Sequence, residues 1–338
     1  MNFELPVLRL GLAGFSAGQQ DELARLVAQV STGSANWVVS ELDLADAWLV
    51  NGTKVLDLGD KRIRINPGVV TARSIQVQVP EMDRPIGFSR PVKVSMPAFT
   101  FEFGSAASLA ALLRKFEVWQ SAIIAQVCLA AHIVEHQSAL RSGVFTLNRG
   151  TGMIASVNMH GDISVLATAA PGDFEDAVWH RQTGDLKIPD NFASATMSQL
   201  MWQYATRTQR DLLPPHYRTG AIYFRRAPRL PQRMLGDSHL LLLRELANAH
   251  LTFDALQRRC DVPARALASD LASLYFVGSI TSNPKRAANP PVRAAGDFEV
   301  SQGPVSNLPT GLDSIPPDMA RQMSGDDDMT APGPLGPH

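Results

Sequence analysis

Two cysteines, Cys128 and Cys260, are all the thiols in 338 residues. So few exclude a disulfide framework and fit a reducing compartment. An excess of one charge is missing too, with 31 Lys and Arg against 32 Asp and Glu. A net charge near zero excludes a polycation that coats nucleic acid, so any such surface has to be local. The nucleotide and catalytic signatures are absent: no Gly-x-Gly-x-x-Gly, Walker loop, Cys-x-x-Cys or Gly-x-Ser-x-Gly, and no internal repeat. No cofactor is therefore expected. Long apolar runs are lacking as well. The nearest, residues 118–134, holds Gln120, Ser121, Gln126 and His132, and Glu135-His136 follows at once. A span needs about 20 predominantly apolar residues. The stretch reads as a buried amphipathic helix and not as a membrane segment. Glu4 stands where a signal peptide carries positive charge, and Arg9 interrupts the first apolar run, so a cytoplasmic chain is expected.

What is present is ordinary globular material, 45% hydrophobic, in a length that suits about two domains and a tail. Residues 1–95 alternate short apolar strands with one helix, at 19–30, and predict an α/β domain with some parallel pairing. Residues 96–142 read as a long connecting helix, or two joined, capped by Ser105 or Ser108. Residues 143–236 predict a mixed α+β middle domain, with a hairpin turn at Met159-His160-Gly161-Asp162 and a helix over 194–212. Residues 284–338 carry 10 of the 23 prolines without apolar periodicity, and predict a disordered tail. Within it, residues 311–316 make the best short linear motif, and Asp326-Asp327-Asp328 reads as a solvated charge run.

The block at 237–283 is the most informative. Leu240, Leu241, Leu243 and Leu246 give a helical stripe after Asp237. Thr252 precedes a second helix, and Asp261-Val262-Pro263 makes a turn. Leu267, Leu271 and Leu274 stripe a third helix that Gly278 closes. Three helices and a strand are the layout of a winged helix-turn-helix. If the leucines of the third helix face inward, Arg265, Ser269, Ala272 and Phe276 face out. That face is poor in the side chains that read base edges, and an exposed Phe276 suits a protein contact.

Cations nonetheless gather nearby. No acid lies between Asp211 and Asp237, where Arg218, Arg225, Arg226, Arg229 and Arg233 interleave with Tyr217, Tyr223 and Phe224. Guanidinium groups grip phosphates in a fork, and aromatics stack on bases. Arg258 and Arg259 on the second helix, Arg265, and Lys285 with Arg286 at the expected end of a wing complete a candidate phosphate or nucleic-acid surface. The Arg225-x-x-x-Arg229 spacing also suits a nucleotide second messenger. The plain alternative is a strand and loop whose arginines pair with acids or face water.

One motif points to an enzyme. His132-Ile133-Val134-Glu135-His136 matches the His-x-x-Glu-His pattern of inverted zinc peptidases, with two histidines on one helical face. A third ligand is needed, but Glu175 lies in a poor context and Glu245 sits in the winged-helix block.

The strand–helix–strand opening resembles the receiver domain of bacterial response regulators. Val7–Ala13 matches its first strand, Ala47–Val50 its third, and Ser89-Arg90-Pro91 the Lys-Pro step after its fifth. Gly14, Phe15 and Ser16 replace the acidic pair, and Asn51 stands at the phospho-acceptor aspartate. An amide cannot form an acyl phosphate, so the resemblance implies a pseudo-receiver that docks or dimerises. The last block is similar to the winged helices of PatA-like regulators. The combined expectation is a non-enzymatic bacterial signalling or transcription-related regulator, acting through protein docking, with DNA as a further candidate partner and a homodimer among its candidate states. The alternatives are a pure interaction adaptor and a zinc-dependent hydrolase at His132 and His136.

Overall fold

Alternation along β1 (Val7–Ala13) sets the layering of the first unit. Leu8 and Leu10 are buried against one side and Ala13 against the other, as in a strand covered on both faces. The computed structural model describes residues 4–70, 73–92, 99–159, 161–184 and 186–288. His160 of the expected hairpin turn and the tail beyond 288, with its motif at 311–316, lie outside them.

α1 (Ala17–Gln29) follows β1, with Leu23 and Val27 inward. The Ser16 amide donates to Gln19 Oε1 at 3.0 Å, half of a capping box. β2 (Asn36–Ser40) and β3 (Ala47–Val50) flank β1 in parallel. The chain then leaves this sheet for an antiparallel meander of β4 (Val55–Gly59), β5 (Arg62–Ile65) and β6 (Ile75–Gln78). It returns with β7 (Ile86–Phe88) and β8 (Phe99–Thr100). The five-stranded parallel sheet has the order β2-β1-β3-β7-β8. Counted among its own strands this is 2-1-3-4-5, a doubly wound order. α1 and α2 (Ala106–Trp119) cover one face through Leu23, Leu109, Leu112 and Phe116. The meander covers the other, setting Ile63, Ile65 and Val77 against Trp48, Val50 and Phe88. Ser105, not Ser108, caps α2, its hydroxyl accepting from the Ser108 amide at 3.2 Å.

The expected boundary at 95 therefore falls inside the parallel sheet, because β8 and α2 complete it. The expected connector at 96–142 is two helices within one continuous apolar core, the first packed on the parallel sheet and the second on the sheet that follows. α3 (Ser121–Glu135) departs from α2 at 74°. Among the described residues, no single helix is long and apolar enough to cross a membrane. In the second unit, β9 (Val144–Arg149), β10 (Gly152–Asn158), β11 (Asp162–Leu166), α4 (Pro171–Glu175), β12 (Val178–Gln182), β13 (Phe192–Thr196) and α5 (Met197–Arg207) follow. They form an antiparallel sheet in the order β12-β9-β10-β11-β13 that shares its core with α3 and α5. Thr196 and Gln199 cap α5 reciprocally, at 3.2 and 3.1 Å.

The third unit begins before the expected boundary at 237. α6 (His216–Thr219) and β14 (Ala221–Phe224) precede α7 (Asp237–Asn248), β15 (Leu251–Thr252), α8 (Phe253–Cys260), α9 (Ala264–Phe276) and β16 (Ile280–Thr281). Leu242, not Leu240, lines up with Leu246 in the core, while Leu240 is exposed. Leu256, Leu267, Leu271 and Leu274 are fully buried. Strand order is β15-β14-β16, so the central strand comes from ahead of the helices. Among the described residues no hairpin wing follows β16. Pro284–Arg286 is a 3-10 turn, and the Ala288 amide donates to the Phe224 carbonyl at 2.9 Å. The expected tail start at 284 is thus still hydrogen-bonded to the third unit.

A buried ionic junction ties the units together. Asp46, ahead of β3, accepts from the Arg9 amide at 2.8 Å and from Arg207 Nη2 of α5 at 2.5 Å. Arg9 Nη2 donates to the Thr206 carbonyl at 2.6 Å. His239 Nε2 of α7 lies 3.4 Å from Asp270 Oδ1 of α9. Burial lowers the pKa of that histidine and raises that of the aspartate.

Candidate functional site

A doubly wound sheet ordinarily binds ligands beyond the carboxyl ends of its strands, where the strand order reverses. Here that point lies between β1 and β3, at Gly14 and Asn51. The chain has built over part of it. Asn66 donates its amide to the Lys54 carbonyl at 2.9 Å, bringing the loop after β5 across. Gly68 is pressed against the Phe15 carbonyl so closely that a Cβ there would collide with it. Asn51 is 7% exposed, and its Oδ1 accepts from the Thr53 amide at 3.1 Å and from the Thr53 hydroxyl at 2.8 Å. Ser89 Oγ takes the Gly52 amide at 3.1 Å and lies 3.5 Å from Asn51 Oδ1. Ser89 therefore follows the fourth strand of the sheet, β7. The match of Ser89-Arg90-Pro91 to a step after the fifth strand is corrected. Sequence counting failed because the meander strands belong to another sheet.

His132 and His136 do share a face of α3, but their rings stack at 4.3 Å and 16°. The His136 Nδ1–H donates to the His132 carbonyl at 2.9 Å in the tautomer that suits this contact. Glu135 pairs with Arg210 at 3.0 Å. Among the described residues, no third His, Cys, Asp or Glu joins the two histidines to make a metal-binding group. His132 is 5% exposed beside Trp179, and burial followed by the His136 charge pushes its pKa down to about 4. The unfolded chain thus takes up this proton near the ordinary value of 6.5, before the folded chain does. Stability from this residue is fully present above pH 6.5 and is lost as pH falls toward 4. The loss is at most about 3 kcal/mol, reduced by solvent screening. Urea unfolding of the native chain between these pH values is expected to show the slope, and His132→Phe to flatten it; equal slopes would refute the assignment.

The ten cations expected to form one phosphate surface divide. Arg218 pairs with Asp211 and lies over the Phe253 ring at 5.3 Å. Arg259 pairs with Glu245 at 3.3 Å. Arg258 is exposed on α8, Arg265 on the first turn of α9, and Lys285 and Arg286 on the 3-10 turn. Arg233 belongs to the 3-10 turn Gln232–Met234, and its side chain lies outside the described set. Arg225, Arg226 and Arg229 do come together, after β14. Arg226 has its pKa lowered by burial first and then by Arg225 and Arg229.

Arg225 and Arg226 meet at the close of α9, with Arg229 near enough to act on Arg226. Gly278 has φ +69, its amide bonds the Tyr275 carbonyl at 2.9 Å, and the Ser279 amide bonds the Leu274 carbonyl at 2.9 Å. This is a Schellman-type stop that favours glycine. A methyl group at Gly278 would lie 3.2 Å from Arg226 Nη2 and 3.6 Å from Arg225 Nη1, so both guanidinium groups converge there. The Arg225 amide bonds the Ser279 carbonyl at 2.8 Å. Ser279 is fully buried, yet among the described residues its hydroxyl has no hydrogen-bond partner, and neither has the buried Nε of Arg226. Sequence reading named the arginines but not Ser279; Gly278, already marked as a helix stop, was the signal beside it.

Phe276 needs a correction. It is 8% exposed and packs in the cluster of Leu200, Met201 and Tyr204 of α5, not on a free face. Ala272 is buried likewise, which leaves residues 264–266 and Ser269 as the exposed part of α9. The leucine spacing shows which face meets the third unit's core. It gives no sign that a second helix covers the opposite face. In comparisons with known proteins, no family model, curated protein or solved structure matches the chain.

Proposed function

We propose that this chain is a non-catalytic signalling regulator that acts by docking to a protein partner. The observation that carries this reading is the crevice between β1 and β3. Its acceptor position is an asparagine whose side-chain oxygen is already engaged by Thr53, and backbone from Gly68 lies against Phe15 beside it. Phosphotransfer of the receiver type needs a carboxylate nucleophile there and room for an incoming phosphoryl group. A sheet of order 2-1-3-4-5 without that chemistry suits a module kept for its surfaces. DNA reading is the weaker variant, because α9 offers only its first turn and Ser269, with Arg265 as the cation.

The test has two arms on the full chain. With acetyl phosphate and Mg²⁺, neither the native chain nor Asn51→Asp is expected to gain a stoichiometric acyl phosphate by intact mass. In titrations with duplex DNA, binding is expected to be weak, independent of sequence and abolished by moderate salt. Stoichiometric phosphorylation of the native chain, or retention of one duplex sequence over others, would overturn the proposal.

A further inference from the structure

The arginine cluster at the end of α9 is not explained by folding. Arg225 and Arg226 are half-buried and Arg229 is exposed; cations held close together without an acid repel one another, the more so where they are partly shielded from water. Other shielded arginines of this chain have an acid beside them: Arg207 and Arg9 share Asp46, Arg210 has Glu4 and Glu135, and Arg84 has Asp83 and three carbonyls. Among the described residues the Arg226 guanidinium has one long bond, 3.4 Å to the Val277 carbonyl, and the charged groups acting on it are Arg225 and Arg229, both cations. The buried Ser279 hydroxyl adds a second unpartnered polar group on the segment that bonds the Arg225 amide. Gly278, lacking a Cβ, leaves open the point that the two guanidinium groups approach.

We infer that Arg225, Arg226, Arg229 and Ser279 form a binding site for one phosphoryl group of a small phosphorylated molecule. A phosphoryl group carries about −1.5 to −2 charges at neutral pH and three strong acceptor oxygens. It would neutralise the mutual repulsion of the arginines, with the serine hydroxyl as a further donor. Duplex DNA is a poorer fit. Its charges recur about every 1.7 Å along a rod and call for a stripe of cations, whereas these converge on one point. The site stands independently of the docking proposal, since it lies on the third unit, away from Asn51.

Inorganic pyrophosphate is the probe, titrated calorimetrically into the full chain, with sodium chloride matched for ionic strength as the blank. Saturable one-to-one binding is expected. Arg229→Gln, at an exposed position, should weaken it at least tenfold without altering the thermal midpoint. Ser279→Ala removes an unpartnered buried hydroxyl, so it should weaken binding several-fold while leaving stability equal or higher; a purely structural serine would not separate the two readouts. Arg62→Gln, on the meander, should bind as the native chain does. Binding that survives both Arg229→Gln and Ser279→Ala would overturn the site, as would a response no larger than that of the chloride blank. Displacement of pyrophosphate by duplex DNA at equal phosphate concentration would overturn the small-molecule assignment in favour of nucleic acid.

Discussion

Asp46→Ala is expected to lower the unfolding free energy by about 3–5 kcal/mol, the usual cost of stripping one partner from a buried ion pair. The carboxylate is 6% exposed and Arg207 is 11% exposed. Alanine would remove the acceptor of both Arg207 Nη2 and the Arg9 amide. It would also leave two buried guanidinium groups facing each other; the Arg9 pKa is already lowered by burial and by Arg207. Arg207 has little to fall back on, since among the described residues its Nε has no partner and its other contacts are with Gln203 and Thr206. The contact of Gln120 with the Asp46 backbone carbonyl, at 2.7 Å, would survive the change. Urea unfolding measures the loss. The double variant Asp46→Ala/Arg207→Met should recover part of it, because the second change removes the stranded charge. A single-variant loss below about 1 kcal/mol would place the pair in the class of screened surface bridges and refute the junction.

Phe276→Ala is expected to cost about 3–5 kcal/mol, as for a phenylalanine removed from a packed core. A surface residue kept for a partner would change stability by no more than about 0.5 kcal/mol. The two expectations differ enough for one denaturation curve to decide between them. The loss follows from the place of the ring in the core that includes Leu200, Met201 and Tyr204, where α9 packs against α5. Near-native stability in Phe276→Ala would restore the free face that the leucine spacing alone suggests.

Local features of this fold were legible in the sequence. The spacing of Leu267, Leu271 and Leu274 placed one face of α9 correctly, and all three are fully buried. Thr252, read as the residue ahead of the second helix, caps α8, accepting from the Ala255 amide at 3.3 Å. The short apolar runs Val7–Ala13 and Ala47–Val50 are strands, and they pair in parallel. These signals lie within a few residues of each other, where periodicity and capping operate. What sequence did not show depends on distant partners. β14 is four residues long, and its neighbours in the sheet lie at Leu251–Thr252 and Ile280–Thr281, beyond three helices in the latter case. Asp46 and Arg207 are 161 positions apart, so no window along the chain joins them. Of the candidate site, the arginines were visible as a run free of acids. Their convergence was not, because it depends on how α9 stops at Gly278.

The position of β14 has a consequence for dissecting this chain. A fragment starting at Asp237 would keep all three long helices of the third unit but would lack the strand to which both short edge strands are hydrogen-bonded. β15 and β16 would then have exposed ladder groups, and Ile222, fully buried in the whole protein, would leave a hole among the leucines. The last part of this molecule is thus not a cassette that can be lifted out at its first helix. An excised version has to start upstream of Tyr217, which also belongs to that core and carries the arginines along with it.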